Sequence, residues 1–309
     1  MKPSVFIDGE AGTTGLQIRD RLAGRSDIEL LSIDPDKRKD MEARAQLLNA
    51  ADVAILCLPD AAAREAVDLV ANPDTVIIDA SSAHRTDPDW AYGFPEMAPG
   101  QRDKIKASKR ISNPGCYPTG FIALVRPLVE AGLLPADYPV TVNAVSGYSG
   151  GGKSLIEEFE TGEGDPYRSY ALSQQHKHVP EMKAHSGVVH GPVFTPAVGN
   201  YAQGMIVEVP LALWSLPDTD DGISDHYQAL KHAYRDEHFV DVHTLDESNA
   251  LKGLEPQACN GTNQIDLFVF GNKEQARLIA RYDNLGKGAS GAAVQNMNIV
   301  LGFDEATGL

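Results

Sequence analysis

A net charge of -16 on 309 residues sets this chain against nucleic-acid backbones and anionic membrane surfaces, both of which repel it. A hydrophobic fraction of 42% suffices to bury the cores of two domains of ordinary size. A small anionic substrate stays admissible, because it needs only a local positive pocket.

Met1-Lys2-Pro3 runs straight into a strand, Ser4–Asp8, with none of the features of a secretion signal. Gly9-Glu10-Ala11-Gly12-Thr13-Thr14-Gly15 follows, and Leu16–Leu22 has the apolar spacing of a helix. A second strand, Ile28–Ile33, ends at Asp34-Pro35. Then come a helix from about Lys37 to Asn49, a strand at Asp52–Leu58, a helix over about Ala61–Val70 and a strand at Thr75–Asp79. Strand and helix alternating over short connections predict a Rossmann-type, doubly wound parallel sheet. In it, Gly9, Gly12 and Gly15 form a G-x-x-G-x-x-G variant of the dinucleotide loop. Glycine admits a pyrophosphate close to the backbone, and the helix tip at Thr13 and Thr14 stabilises its charge. Asp34 stands 19 residues after Gly15, where an acid holds the ribose hydroxyls of NAD. Lys37, Arg38 and Lys39 follow at once and suit the 2′-phosphate of NADP, so the residues leave the two cofactors open. Ser81, Ser82, His84 and Arg85 leave the fourth strand toward the ligand crevice, as cofactor or substrate contacts or as a capped turn.

Cys57 falls in an apolar run and reads as core, while Cys259 sits in a loop without an assigned role. Three cysteines without paired spacing suit a reducing compartment. No apolar run reaches membrane-spanning length, so a soluble, cytoplasmic protein is expected. Cys116 is different. In Ser112-Asn113-Pro114-Gly115-Cys116-Tyr117-Pro118-Thr119-Gly120 it stands between a Pro-Gly turn and a helix start. The positive end of a helix lowers a thiol's pKa and makes it a nucleophile. Beyond a helix at 119–131 strands dominate: Val140–Ser146, Val188–Thr195, Met205–Leu213, Phe239–Val242, Gln264–Phe270 and Leu278–Tyr282. An acidic stretch, Pro217–Gly222, reads as a solvated loop, and Tyr148–Lys153 as a turn or a mobile substrate loop. Gln175-His176-Lys177-His178-Val179-Pro180-Glu181 supplies the proton-transfer group a thiolate enzyme needs. Either histidine can serve. A metal reading with His185 and His190 lacks a short ligand framework. Ala289–Leu301 is a helix. The expected domains are 1–115, completed by a C-terminal helix at 286–309, and an α+β catalytic domain at 116–285.

Gly9–Gly15, Asp79–Arg85, Tyr92–Glu96, Asn113–Gly120, Gly147–Lys153, His176–Glu181 and Asp283–Asn298 occur in an order that makes the chain resemble the N-acetyl-γ-glutamyl-phosphate reductases of arginine biosynthesis, in their shorter form, over nearly its whole length. The resemblance implies NADP on the Gly9–Gly15 loop, with Asp34, Arg38, Ser81, Ser82, Asn284 and Asn296 also on the cofactor. Asn284–Gly288 and the last helix would return to the cofactor domain near the nicotinamide. Cys116 would be the nucleophile and His178 the acid–base, with His176 the second choice. His176, Lys177, Glu181, Asn113, Ser149 and Gly150 would hold a small anionic acyl phosphate. The strand-rich domain would serve dimerisation in a homo-oligomer. Lys177 stands where longer relatives usually carry arginine, and Leu124 where the cysteine signature has a small residue. Aspartate-semialdehyde dehydrogenase shares the order of cofactor loop, thiol and histidine. A dinucleotide-sensing regulator would need no activated thiol, and a cofactor-free Cys–His acyl hydrolase would need no glycine loop.

Overall fold

The structure is a computed structural model that describes residues 2–217 and 221–309, so Asp218, Thr219 and Asp220 of the acidic stretch lie outside the described residues. The chain divides into two compact units: Met1–Pro95 with Pro99–Gly115 and Ala289–Leu309, and Glu96–Ala98 with Cys116–Gly288. The late boundary thus falls at Ala289 instead of residue 286, and Glu96–Ala98 belongs to the second unit. A buried ion pair between Lys287 and Glu96 accounts for both shifts.

In the first unit β1 (Ser4–Asp8), α1 (Thr13–Leu22), β2 (Glu29–Leu31), α2 (Met41–Ala50), β3 (Val53–Leu56), α3 (Asp60–Asp68), β4 (Val76–Asp79), β5 (Ala91–Tyr92), α4 (Gln101–Ala107) and β6 (Arg110–Ser112) are joined by the C-terminal helix Gly291–Leu301. The strands pair in parallel in the order β2-β1-β3-β4-β6-β5. Both faces are buried, which is why β1, β3 and β4 read as unbroken apolar runs. Val5, Ile7, Val53, Ile55 and Ile78 pack with Ile18, Leu22, Val294 and Met297 on one face. Phe6, Ala54, Leu56 and Ile77 pack with Leu48 and Ala66 on the other. The register sets Asp8 beside Leu56, Leu56 beside Asp79 and Asp79 beside Ser112. Gly9–Gly15, Ala80–Arg85 and Asn113–Gly115 therefore leave the sheet from one edge. Ligands of such sheets bind there, where the winding reverses between β1 and β3.

The second unit contains α5 (Cys116–Glu130), β7 (Thr141–Gly147), α6 (Gly152–Glu160), β8 (Tyr167–Ser169), α7 (His178–Ser186), β9 (Val193–Gly199), β10 (Met205–Ala212), α8 (Ile223–Ala233), β11 (Val240–Val242), α9 (Leu245–Ala250), β12 (Ile265–Gly271) and β13 (Gln275–Tyr282). One mixed sheet runs β11-β12-β13-β10-β7-β9-β8. Along β10, Met205, Val207, Val209 and Leu211 are buried while Ile206, Glu208, Pro210 and Ala212 are only half-buried. The period of two marks an inner face, packed against α5, and an outer face. The outer face carries a groove of about 430 Å³ lined by Val145, Ile206, Glu208, Phe270, Arg277 and Ile279. Within α5, Pro127 supplies no N–H to the carbonyl of Ala123. The Tyr234 hydroxyl donates to that carbonyl instead, at 2.9 Å. β9 starts five residues later than the Val188–Thr195 run, because Gly187 ends α7 left-handed and Val189 N–H donates to Ala136 outside the ladder. Among the described residues no helix is long and apolar enough to cross a membrane.

Candidate active site

Cys116 is the first residue of α5, whose body is buried almost throughout. The thiol-bearing residue is half-buried and stands where the helix dipole favours an anion. Burial first, then Tyr170 and the charge of Cys116, raise the hydroxyl pKa of Tyr117; burial and then the charge of Cys116 raise that of Tyr282. Tyr170 is raised by burial and by the same charge. All three phenols are thus neutral groups within electrostatic reach of Cys116. The other cysteines are chemically quiet: burial pushes both the Cys57 and the Cys259 thiols up to about 12.

Tyr117 links the thiol helix to the histidines. Its ring lies 6.2 Å from that of His176 and 5.8 Å from that of His178. Its hydroxyl accepts from Tyr170 at 3.1 Å and donates to Ala197 C=O at 3.2 Å. His178 is buried and opens α7. Pro180 does not break that helix, because a first-turn residue has no N–H obligation within it. The approach to the histidines is held by Ala171 and Gln174, both with positive φ, and by the Gln174 amide. That amide donates to Phe194 C=O and accepts from Phe194 N–H, both at 2.9 Å. His178 N–H donates to His176 Nδ1 at 3.1 Å, which places the proton of neutral His176 on Nε2.

Burial, then the charge of Lys177, push the His176 imidazole down to about 4. The unfolded chain binds a proton here below about 6.5, while the folded protein does not until about 4. Stability contributed by neutral His176 is therefore present above 6.5 and is lost as the pH falls through that window. His176→Asn, which keeps an acceptor for His178 N–H, is expected to flatten the fall in thermal midpoint between pH 6.5 and 4. Equal slopes in variant and wild type would refute the assignment.

Ser149 and Gly150 form a pinned turn. Ser149 N–H donates to Ala202 C=O at 3.0 Å, and Asn284 Nδ2 donates to Ser149 Oγ at 3.1 Å. Asn284 Oδ1 also accepts from Gly204 N–H at 2.8 Å. Asn284, expected on the cofactor, thus lies in the second unit with its amide engaged there. Lys177 is exposed and Glu181 is buried on α7. Gly288 abuts the thiol residue: a Cβ there would stand 3.0 Å from Cys116 Cβ.

In the first unit, Gly9 has φ +92 and a Cβ on it would fall 2.3 Å from Cys57 O, while one on Gly15 would fall 2.5 Å from Gly9 O. Both must be glycine. Gly12 precedes α1 and offers no side-chain cap, so the N–H groups at Thr13 and Thr14 open an anion site. A cavity of about 360 Å³ beside the loop is lined by Gly9, Glu10, Ile33, Arg38, Lys39 and Arg44, among others. Arg38 is held by Glu10 at 2.8 Å, and Arg44 is fixed on buried Asp8 at 2.9 Å. Asp34 is exposed and shapes the local turn, accepting from Asp36 N–H at 3.0 Å. Ser81 and His84 both bond Asp79, at 2.8 and 2.7 Å; Ser82 bonds Asp60. Asn113 donates to Ala289 C=O at 2.9 Å. Asn296 donates to Gly93 C=O at 2.9 Å and to Asn113 Oδ1 at 3.2 Å. Both asparagines are buried, so their side-chain amides act as framework for the first unit.

Sequence reasoning missed Tyr170 and Tyr282, the contact of Gly288 with Cys116 and the pairing of Lys287 with Glu96. None of these residues carries a local mark of its distant partner. Among the described residues the one His/Cys/Asp/Glu group close enough to share a metal is Asp241, His243 and Asp266. It contains none of the histidines considered above, and Arg281 already donates to Asp266 at 2.6 Å.

Residues 10–107 match the model of the semialdehyde dehydrogenase NAD-binding domain, and 116–284 that of the semialdehyde dehydrogenase dimerisation domain. The chain is 55% identical to N-acetyl-gamma-glutamyl-phosphate reductase 2 of a Nostoc species, over 100% of this chain and 99% of that one. It is 54% identical to the N-acetyl-gamma-glutamyl-phosphate reductase of Burkholderia lata, over 97% of each. Among solved structures, aspartate semialdehyde dehydrogenase II of Vibrio cholerae superposes with a TM-score of 0.71 at 16% identity, over 97% of this chain and 98% of that one. The second resemblance is one of fold, whereas the first runs through the sequence from end to end: the chain belongs to the N-acetyl-gamma-glutamyl-phosphate reductase family, within the semialdehyde dehydrogenases.

Proposed function

We propose that this chain reduces N-acetyl-γ-glutamyl phosphate to N-acetylglutamate semialdehyde through a thioester on Cys116, as a step of arginine biosynthesis. The observation that carries the reading is a thiol heading α5 whose neighbour Tyr117 is in ring contact with both His176 and His178. The Cys116 thiolate attacks the acyl carbon; a C–S bond forms, the C–O bond to phosphorus breaks, and phosphate leaves. Sulfur suits both halves of the reaction, as nucleophile and as leaving group. NADPH, when bound, supplies the hydride that reduces the thioester carbon. His178 protonates the carbonyl oxygen as the thiohemiacetal forms. It takes that proton back as the C–S bond breaks and the aldehyde departs. His176, neutral and engaged by His178 N–H, orients the segment. Lys177, Ser149 and Gly150 meet the anionic substrate, with Glu181 behind them on α7.

The first unit fits a nicotinamide dinucleotide, since Gly9 and Gly15 allow the tight turn and the close helix–strand packing of the loop, and Gly12 leaves the backbone at the helix tip uncovered. NADP in particular is supported by Arg38 and Lys39 on the cavity wall and by Asp34's engagement with its own turn. Arg38→Ala is expected to raise the KM for NADPH by about 10- to 100-fold, the worth of one charge-assisted bond to phosphate. It should leave the KM for NADH nearly unchanged. A parallel rise for both cofactors would remove Arg38 from 2′-phosphate recognition. The apolar groove on the outer face of the mixed sheet supports a homo-oligomer formed through that face. Free cysteines suit the reducing cytoplasm.

Initial rates of NADP reduction, with phosphate present, on N-acetylglutamate semialdehyde and on aspartate semialdehyde test the function. Phosphate-dependent turnover of the first is expected. Preference for the second, or turnover that ignores phosphate, would overturn it.

A further inference from the structure

We propose that Tyr282 is a positioning residue for the nucleophile: its hydroxyl engages both members of the first i, i+4 pair of α5 and thereby sets where Cys116 presents its sulfur. The inference rests on the reading of Cys116 as nucleophile. In an α-helix the carbonyl of Cys116 is paired with the N–H of Gly120. Here the Tyr282 hydroxyl donates to Cys116 C=O at 2.6 Å and accepts from Gly120 N–H at 3.0 Å. One buried O–H therefore holds the turn that carries the thiol at both ends.

The support behind that hydroxyl is rigid. Tyr282 closes β13, and its backbone is in register with Met205 of β10 on one side and Ile265 of β12 on the other. Its side chain is fully buried, and its phenol stays protonated because burial and the charge of Cys116 both oppose ionisation. A group fixed on an interior strand places its partner more accurately than one on a loop. The same contact explains the last residue of the cysteine segment. A Cβ on Gly120 would stand 2.6 Å from the Tyr282 hydroxyl oxygen, 2.8 Å from its ring and 3.0 Å from Val207 Cβ. Gly120 is glycine because the tyrosine occupies that space. On the other flank, Gly288 leaves room for Cys116 itself. The thiol residue is thus set between a hydroxyl that fixes its carbonyl and a glycine that admits its side-chain stem.

Removing the hydroxyl leaves Cys116 C=O and Gly120 N–H able to close directly on each other, so Tyr282→Phe is expected to fold. The turn then relaxes, and the sulfur loses its alignment with the helix tip and with the acyl carbon. The test is the rate of iodoacetamide alkylation of Cys116, located by peptide mapping, as a function of pH, together with kcat on the semialdehyde. Tyr282→Phe is expected to alkylate about 10-fold more slowly at pH 7 with its profile moved to higher pH. Its kcat should fall about 100-fold, as for a displacement near 1 Å. Gly120→Ala, which pushes the hydroxyl from the other side, should move the profile the same way. Alkylation profiles that coincide with wild type in both variants would overturn the proposal, as would a lowered melting temperature with profile and kcat unchanged. The alkylation readout needs no substrate, so it stands even if the proposed reaction fails.

Discussion

Cys116→Ser is expected to lower kcat by about 10⁴-fold or more while leaving the melting temperature and NADP affinity near wild type. Two arguments set that size, and a third the intact fold. A serine hydroxyl does not ionise at neutral pH, so the positive end of α5 has no anion to stabilise. An oxygen ester, if formed, returns its leaving group far less readily than a thioester. The neighbouring hydrogen bonds survive, because the contacts made at residue 116 by Tyr282 and Gly288 are to its backbone and Cβ. Loss of activity with intact cofactor binding separates a nucleophile from a structural cysteine. Cys57 and Cys259, with thiols pushed up to about 12, are expected to tolerate the same exchange. Turnover of Cys116→Ser within about 10-fold of wild type would exclude the thioester route.

Much of the first unit was legible because its strands are buried on both faces: Val53–Leu56 and Val76–Asp79 show as unbroken apolar runs. The region between Ala91 and Ser112 was not, since β5 has two residues, β6 three and α4 seven. Segments that short carry no periodicity, and the sheet rather than the local sequence makes them strands. The second unit misled in another way. α7 contains Pro180 and β9 contains Pro196; proline disfavours both elements locally, yet one falls in a first helical turn and the other in a strand paired on both sides. The residues of the candidate site divide along the same line. Gly9, Gly15 and Cys116 owe their roles to their own strand–helix junctions, and the sequence displays those. Tyr282 owes its role to Gly120, 162 residues away. Asn284 is tied to Ser149, 135 residues away, so its place in the second unit could not be read from its neighbours.

Lys287→Met is expected to destabilise the protein by about 3–5 kcal/mol, seen as a lower urea midpoint at an unchanged denaturant slope. Lys287 and Glu96 have side-chain exposures of 1% and 0%, and their charged atoms meet at 2.7 Å. Both charges are buried, and the ion pair offsets part of the desolvation of each. Lys287 also lies over the Phe239 ring, 5.3 Å from its centroid. Methionine fills most of the lysine's volume, so the loss is electrostatic rather than a cavity. The double variant Lys287→Met, Glu96→Leu removes both charges together and should recover most of the single variant's deficit. A single variant within about 1 kcal/mol of wild type, or a double variant no better than the single, would mean that the pair is not the source of stability at this point. The pair also bears on the thiol. Gly288 follows Lys287 and stands in the space beside Cys116, so releasing the lysine frees the backbone that limits the nucleophile on that side. The double variant should therefore regain stability more fully than it regains kcat.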